Sequence, residues 1–220
     1  QALESILRAT QDIETEIFVV DNHSVDGSVA MLEQQFPQVQ LIANQDNVGF
    51  ARANNQALSV ATGEYLWLLN PDTLIQEDTP SKLIEVMEAD PQIGLLGCKI
   101  LNDDGSLQLA CRRSFPTPWA SFTKLLGLAK LFPKSKWFGS YNLTHLDPDE
   151  AYEVQAISGS CMFMRREALG EVGFLDETFF MYGEDLDWCF RFGKAGWKVF
   201  YTPVTSIVHY KGESSKVASW

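Results

Sequence analysis

Residues 63–73, GEYLWLLNPDT, decide the fold. Gly63 follows a segment of helical periodicity, about Phe50 to Thr62, and is a natural C-terminal cap for it. The apolar run Tyr65 to Leu69 then reads as a buried strand, and Asn70-Pro71-Asp72 closes it with a turn. Helix, glycine, strand and acidic turn in that order are the unit of an α/β domain.

Outward from this stretch the same rhythm holds. Upstream lie a helix over Ala2 to Ala9 (Leu3, Ile6, Leu7), an apolar run Ile17 to Val20, a turn over Asp21 to Gly27, a short helix through Val29, Leu32 and Phe36, and a strand over Val39 to Ala43. The first helix has no capping signal, so the reading expects something before it. Downstream, a helix over Thr79 to Ala89 stops at Asp90 and Pro91, and a strand follows over Ile93 to Leu101. Such alternation predicts a mostly parallel sheet with helices on both faces, and ligands at the carboxyl ends of its strands. After Leu101 the rhythm changes: a turn at Asn102 to Gly105, a strand over Leu107 to Cys111, a long connection to Asp149, a strand pair near Val154 to Met164, a helix over Asp185 to Ala195, a strand over Lys198 to Tyr201, and a tail around His209.

The chain has 220 residues, 45% of them hydrophobic, enough for one sizeable core, and we read it as a single domain over 1–220. Its formal charge of −12 argues against nucleic acid or another polyanion as partner. An acidic protein that binds a diphosphate must neutralise it locally, which favours a metal. Cys98, Cys111, Cys161 and Cys189 show no metal-ligand spacing and read as buried free thiols. No apolar run reaches the roughly 18 residues needed to span a bilayer, so the expectation is a soluble cytoplasmic chain.

Three acidic groups stand out. Asp21 follows the strand ending at Val20; Asn70 and Asp72 follow the strand ending at Leu69; Glu184, Asp185 and Asp187 open a helix behind the aromatic loop Phe179 to Tyr182. Each has a plain alternative as turn former, cap or dipole partner. Yet two separate strands deliver carboxylates to one sheet edge, and a hard cation on phosphates needs only one or two protein carboxylates, a role that suits Asp72. A carboxylate in the third group could take a proton from a hydroxyl. His209 alone, on residue type, is more simply a packed or surface histidine.

Taken in order, VVDNHSVDGS, NVGFARANNQAL, GEYLWLLNPD, ISGSCMFMRR, FLDETFFMYGEDLDWCFRFGKAGWKV and VHYKGESS resemble successive blocks of family 2 glycosyltransferases, in particular the branch with bacterial rhamnosyltransferases. The resemblance runs from about Ile17 to Ser215. It implies a GT-A-type fold, with a nucleotide-sugar-binding half over about 1–101 and an acceptor half over 102–220. Asp21, Asn22, Arg52 and Asn70 would lie at the nucleotide, Asp72 and His209 would hold Mn²⁺ or Mg²⁺, and Asp185 would be the catalytic base, supported by Glu184 and Asp187. Asn54 and Asn55 fit equally well as residues packed under the site.

The implied reaction is a single displacement with inversion, from a dTDP- or UDP-sugar to a saccharide or lipid-linked acceptor, in cell-surface polysaccharide synthesis. The family's usual opening strand and Thr-Tyr-Asn-like turn are absent, so the reading expects a chain without its central first strand. A non-catalytic nucleotide-sugar-binding fragment and a sugar-phosphate nucleotidyltransferase stand as alternatives; the late GEDLDW cluster favours the transferase over the latter. Finally, 119–141 mixes large apolar residues with Lys124, Lys130, Lys134 and Lys136 and holds no acidic residue. It fits an ordinary amphipathic surface helix and loop, or a peripheral contact with the inner face of the cytoplasmic membrane or a lipid-linked acceptor.

Overall fold

The computed structural model describes residues 1–210, apart from the side chains of residues 121, 124 and 130; Lys211 to Ser215 of the VHYKGESS block lie outside the described residues. Helix α1 (Ala2–Ala9) precedes strand β1 (Phe18–Asp21), helix α2 (Ser28–Gln35) and strand β2 (Gln40–Ala43). Helix α3 (Phe50–Val60), strands β3 (Tyr65–Leu69) and β4 (Thr73–Leu74), helix α4 (Thr79–Ala89) and strand β5 (Ile93–Leu101) complete the first half. Apart from β4, which the sequence reading did not expect, these follow the expected pattern closely, because each is bounded by a local stop such as Asp90-Pro91.

The second half departs from expectation at its start. Leu107 forms only a bridge to Leu101, and Leu109–Cys111 is a 3-10 turn instead of a strand, leading to the short β6 (Arg112–Arg113). Helices α5 (Pro118–Leu125) and α6 (Leu128–Leu131) lie in the long connection. Then come β7 (Tyr152–Glu153), β8 (Ala156–Ile157), β9 (Cys161–Arg165), α7 (Arg166–Val172), α8 (Glu184–Lys194) and β10 (Lys198–His209).

The main sheet has six strands, in the order β3-β9-β5-β10-β4 with β7 also on β10. It is mixed, which corrects the expectation of a mostly parallel one. Strand β9 enters antiparallel between β3 and β5, while β10 runs parallel to β5. The chain returns from the long connection at the carboxyl edge of β3, and from there a strand can only run back down the sheet. Consequently β3, β5 and β10 all end at one edge, and β9 begins there. Strands β1 and β2 pair parallel in a separate two-stranded sheet.

Strand β10 is also longer than expected. Pro203 sits where its register against β5 shifts between Thr202 and Ser206, so its missing N–H breaks no ladder bond. The strand therefore continues to His209, opposite Thr73 of β4. At the bulge, the Thr79 and Thr205 hydroxyls meet at 3.0 Å and fix the start of α4.

The core lies on both faces of β5, where Ile93, Leu95, Leu96, Cys98 and Ile100 are buried. Gly97 permits Ile157 to close over the strand: an added Cβ would come within 2.8 Å of its Cγ2. Helix α8, too short to be stable alone, is anchored by Trp188 and Phe192, fully buried with ring centroids 5.6 Å apart. Burial of each such side chain contributes about 2–3 kcal/mol, which holds the acidic N-terminus of α8 in place. All four cysteines are free and buried, as the sequence implied; Cys98 and Cys161, distant in sequence, meet with sulfurs 3.6 Å apart.

Candidate active site

Two polar groups occupy the carboxyl edge of the sheet. The first combines the turn after β3 with the end of β10. Asp72 Oδ1 lies 3.1 Å from His209 Nε2, and Asn70 Nδ2 lies 3.3 Å from the same nitrogen. Asp72 and His209 are both largely buried, and Tyr210 N–H donates to the Asp72 carbonyl at 2.9 Å. Oδ1 has no aligned hydrogen-bond partner among the described residues, although a buried carboxylate oxygen ordinarily finds one.

The far side of the imidazole explains its orientation. Buried Gln108 donates through Nε2 to Asn102 Oδ1 at 3.2 Å, which turns its Oε1 toward His209 Nδ1 at 2.9 Å. Since Gln108 accepts there, Nδ1 carries the proton, an assignment made from the network. Nε2 is thereby presented to Asp72 and Asn70, the arrangement in which an outer partner fixes a ligand histidine. The sequence reading missed Gln108; the polar residue inside Leu107-Gln108-Leu109 was its one signal.

The second group surrounds Asp185. Gly183, at φ 99°, ends the aromatic loop and starts α8, so Glu184 and Asp185 stand in its first turn. Asp185 Oδ2 is paired with the Arg113 guanidinium and accepts the Gly159 N–H at 3.2 Å; Oδ1 accepts the Leu186 N–H at 2.8 Å. Arg113 also donates to the Ile157 carbonyl at 2.8 Å. Burial alone would lower the pKa of Arg113, but the Asp185 carboxylate reverses that and raises it. Arg113 was likewise missed, since nothing local distinguishes it at the head of a long connection.

Glu184 is buried, its Oε2 has no partner among the described residues, and burial pushes its carboxyl above the usual range. Asp187 is drawn away: it pairs with Arg191 at 2.8 Å, one turn along the helix.

Ser158, Gly159 and Ser160 join the two groups. Gly159 N–H serves Asp185, the neighbouring Ser160 carbonyl accepts the Asn70 N–H at 3.1 Å, and the two serine hydroxyls meet at 2.9 Å. This is the ISGSC stretch, quoted for its pattern but given no role in the sequence reading.

Of the expected nucleotide residues, Asn70 stands in the first group, whereas Asp21 and Asn22 follow β1 in the separate two-stranded sheet, so the expectation that Asp21 and Asp72 share one sheet edge is corrected. Asp21 is buried at the end of β1, with Oδ2 accepting the Ser24 N–H at 2.9 Å. Asn22 donates to the Gly49 carbonyl at 3.2 Å and accepts from Asn44 Nδ2 at 2.9 Å, so its amide ties loops together. Gly49, at φ 85°, lies against Phe180: a Cβ there would stand 2.7 Å from its carbonyl oxygen. Phe50 N–H donates to that oxygen at 2.9 Å, which links the Asn22 loop to the loop preceding α8. Arg52 is exposed on α3, whereas Asn55 is buried and bonded to Leu175 through both its amide groups, the packing alternative considered for it.

Comparison with solved structures defines the class: the chain has the GT-A fold of glycosyltransferases. It matches GalNAc-T7, solved with UDP, GalNAc and Mn²⁺, at TM-score 0.66 and 17% identity, covering 95% of this chain and 40% of that one. It also matches the mannosyltransferase PcManGT of Pyrobaculum calidifontis, solved with GDP-Man and Mn²⁺, at TM-score 0.62 and 20% identity, covering 96% of this chain and 52% of that one.

Residues 1–173 match Glycosyl transferase family 2, and the chain belongs to that family. The N-acetylglucosaminyl-diphospho-decaprenol L-rhamnosyltransferase of Mycobacterium tuberculosis is 30% identical over 210 residues, 90% of this chain and 67% of that protein. Rhamnosyltransferase WbbL of Escherichia coli K12 is 27% identical over 173 residues, 74% of this chain and 61% of that protein. Family membership sets the nucleotidyltransferase alternative aside. Among the described residues no helix is long and apolar enough to cross a membrane.

Proposed function

We propose that the chain transfers a sugar from a nucleoside-diphosphate donor to a hydroxyl of a saccharide or lipid-linked acceptor in cell-surface polysaccharide synthesis, with inversion at the anomeric carbon. The observation that carries this reading is the Ser158–Ser160 link, which brings the Asn70, Asp72 and His209 group to the same edge as Asp185. The names of the mycobacterial and E. coli relatives favour rhamnose as the transferred sugar; dTDP is our choice of its carrier, with a UDP-hexose as runner-up. The mycobacterial name also favours a diphosphate-lipid acceptor, which would put the reaction at the inner face of the cytoplasmic membrane.

Asp72 and His209 would hold a divalent cation. Among the described residues there is no cluster of three or more His, Cys, Asp or Glu side chains fit for a metal, so two protein ligands would be completed by diphosphate oxygens and water. Asp72 Oδ1, which accepts no hydrogen bond among the described residues, and the fixed Nε2 of His209 fit that demand, and the imidazole suits Mn²⁺ better than Mg²⁺. When bound, the cation supplies charge neutralisation of the leaving nucleoside diphosphate.

The chain's own residues do the rest. Asp185, held at Oδ2 by Arg113 and the Gly159 N–H, keeps lone-pair capacity on Oδ1 to accept the acceptor hydroxyl's proton as its oxygen attacks. Glu184 lines the acceptor side and Asp187 braces the helix through Arg191. Asp21 and Arg52 contact the nucleotide, with Asn22 shaping the loop around it.

The test is product release by the full-length protein. With Mn²⁺, a polyprenyl-diphosphate-sugar acceptor and a panel of nucleotide sugars, dTDP should appear from dTDP-rhamnose and stop on chelation. Binding of a nucleotide sugar without turnover of any would instead support the non-catalytic binding reading.

A further inference from the structure

The connection between β6 and β7 is built unlike the rest of the surface. Between Asp104 and Asp147 the chain has no acidic residue, although it carries 29 elsewhere and a net charge of −12. Of the basic residues in that interval, Arg112 is buried against Tyr152 and Tyr201, and Arg113 is paired with Asp185. Lys134 and Lys136 are exposed, and the sequence of the same stretch also contains Lys124 and Lys130.

The same stretch exposes large apolar side chains. Leu125 is 85% exposed, Trp137 74% and Leu131 70%, with Trp119, Phe122 and Phe132 about half exposed. These rings do not dangle singly. Trp119 lies 6.0 Å from Phe122 and 6.3 Å from Phe138, Phe132 lies 5.5 Å from Phe138, and Trp119 Nε1 donates to the Trp137 carbonyl at 3.0 Å. The segment thus holds its aromatic residues together while leaving them open to solvent. A contiguous apolar surface of this kind marks an interaction site, and a water-facing helix gains nothing from it.

We infer that α5, α6 and the 132–138 loop form a docking surface for an anionic lipid bilayer. Charge complementarity selects that occupant. Lysines flanking exposed Trp, Phe and Leu match anionic head groups above an acyl boundary, and a chain otherwise strongly acidic would be repelled by such a membrane everywhere else. The surface is joined directly to the site: Arg113 holds Asp185, the next residue, Ser114, donates from N–H to the Tyr141 carbonyl at 2.8 Å, and Phe115 packs edge-on to Phe190 of α8 at 5.6 Å. Docking would therefore set Asp185 at the membrane face. The inference stands on this surface alone and does not require the donor or acceptor assigned above.

The test is co-sedimentation of the full-length protein with phosphatidylcholine vesicles, with or without phosphatidylglycerol, at low and high salt. Two variants accompany it: Lys124, Lys130, Lys134 and Lys136 all to Gln, and Leu125→Ser with Leu131→Ser and Trp137→Ser. Binding should be at least about tenfold stronger to the anionic vesicles and weaken with salt, and each variant should lose at least about tenfold while melting at the parent's temperature. Equal partitioning to both vesicle types, or parent-level binding by both variants, would overturn the proposal. So would concentration-dependent self-association that the apolar variant abolishes, with no vesicle binding, since a second copy would then be the occupant. Nucleotide-sugar binding, measured on the same samples without lipid, reports on the catalytic reading separately.

Discussion

The two polar groups at the sheet edge are built on opposite principles. Around Asp185 the carboxylate is anchored at both oxygens, with Arg113 and the Gly159 N–H on Oδ2 and the Leu186 N–H on Oδ1, which keeps one lone pair free. Around Asp72 the engagement is one-sided: Gln108 fixes His209 from behind, while Asp72 Oδ1 and His209 Nε2 face each other with little else to satisfy them. A carboxylate anchored at both oxygens is held in position, and a buried pair with few partners has capacity for a ligand. The contrast separates a group that acts by placement from one that acts by binding.

The strongest way to break the contrast is at its open end. Asp72→Ala should abolish metal-dependent donor binding and leave the melting temperature near the parent's, because it removes a loop carboxylate and no core volume; calorimetry with donor and Mn²⁺ reads this. Unchanged affinity would remove Asp72 from the binding group. At the engaged end, Asp185→Asn should leave donor affinity nearly intact and slow transfer by roughly a hundredfold or more, the scale of a lost general base. Transfer at the parent rate would refute the assignment.

Arg113→Met probes placement itself. Leaving Asp185 as an uncompensated, mostly buried charge should cost about 3 kcal/mol in denaturant unfolding, and turnover should fall while donor affinity holds. Equal stability would show that the ion pair contributes nothing net. Gln108→Leu should weaken Mn²⁺ binding by about 10–100-fold by freeing the His209 ring, the usual effect of losing an outer partner. Affinity equal to the parent's would mean that the ring is held by something else.

The smallest expected effect concerns Glu184. Burial raises its pKa from 4.5, so the folded state favours the protonated acid. The stability this contributes is complete below pH 4.5 and is lost as pH rises through the folded value. Glu184→Gln mimics the protonated form, so it should match the parent in acid and melt above the parent at neutral pH. Identical melting curves at both ends of the range would contradict the burial argument.

Most of the first half was legible in the sequence because its signals are local. Helices α3 and α4 and strands β3 and β5 each carry their own period and stop, and the carboxylates after β3 and at the head of α8 follow from position within those elements. The resemblance of ordered blocks then named the family that residues 1–173 match. Its assignments of Asp72, His209 and Asp185 concern residues that the fold brings to one edge.

What the sequence could not supply depended on long-range pairing. That β9 runs antiparallel between β3 and β5, and that β10 continues past Pro203 to His209, are settled by which strands meet, and no window of residues contains that information. The supporting partners were hidden for the same reason: Gln108 is 101 residues from His209, and Arg113 is 72 from Asp185. Residue type and local period determined which side chains could do chemistry; only the closure of the sheet decided which of them are satisfied and which remain open, since hydrogen bonding and burial are properties of neighbours in space.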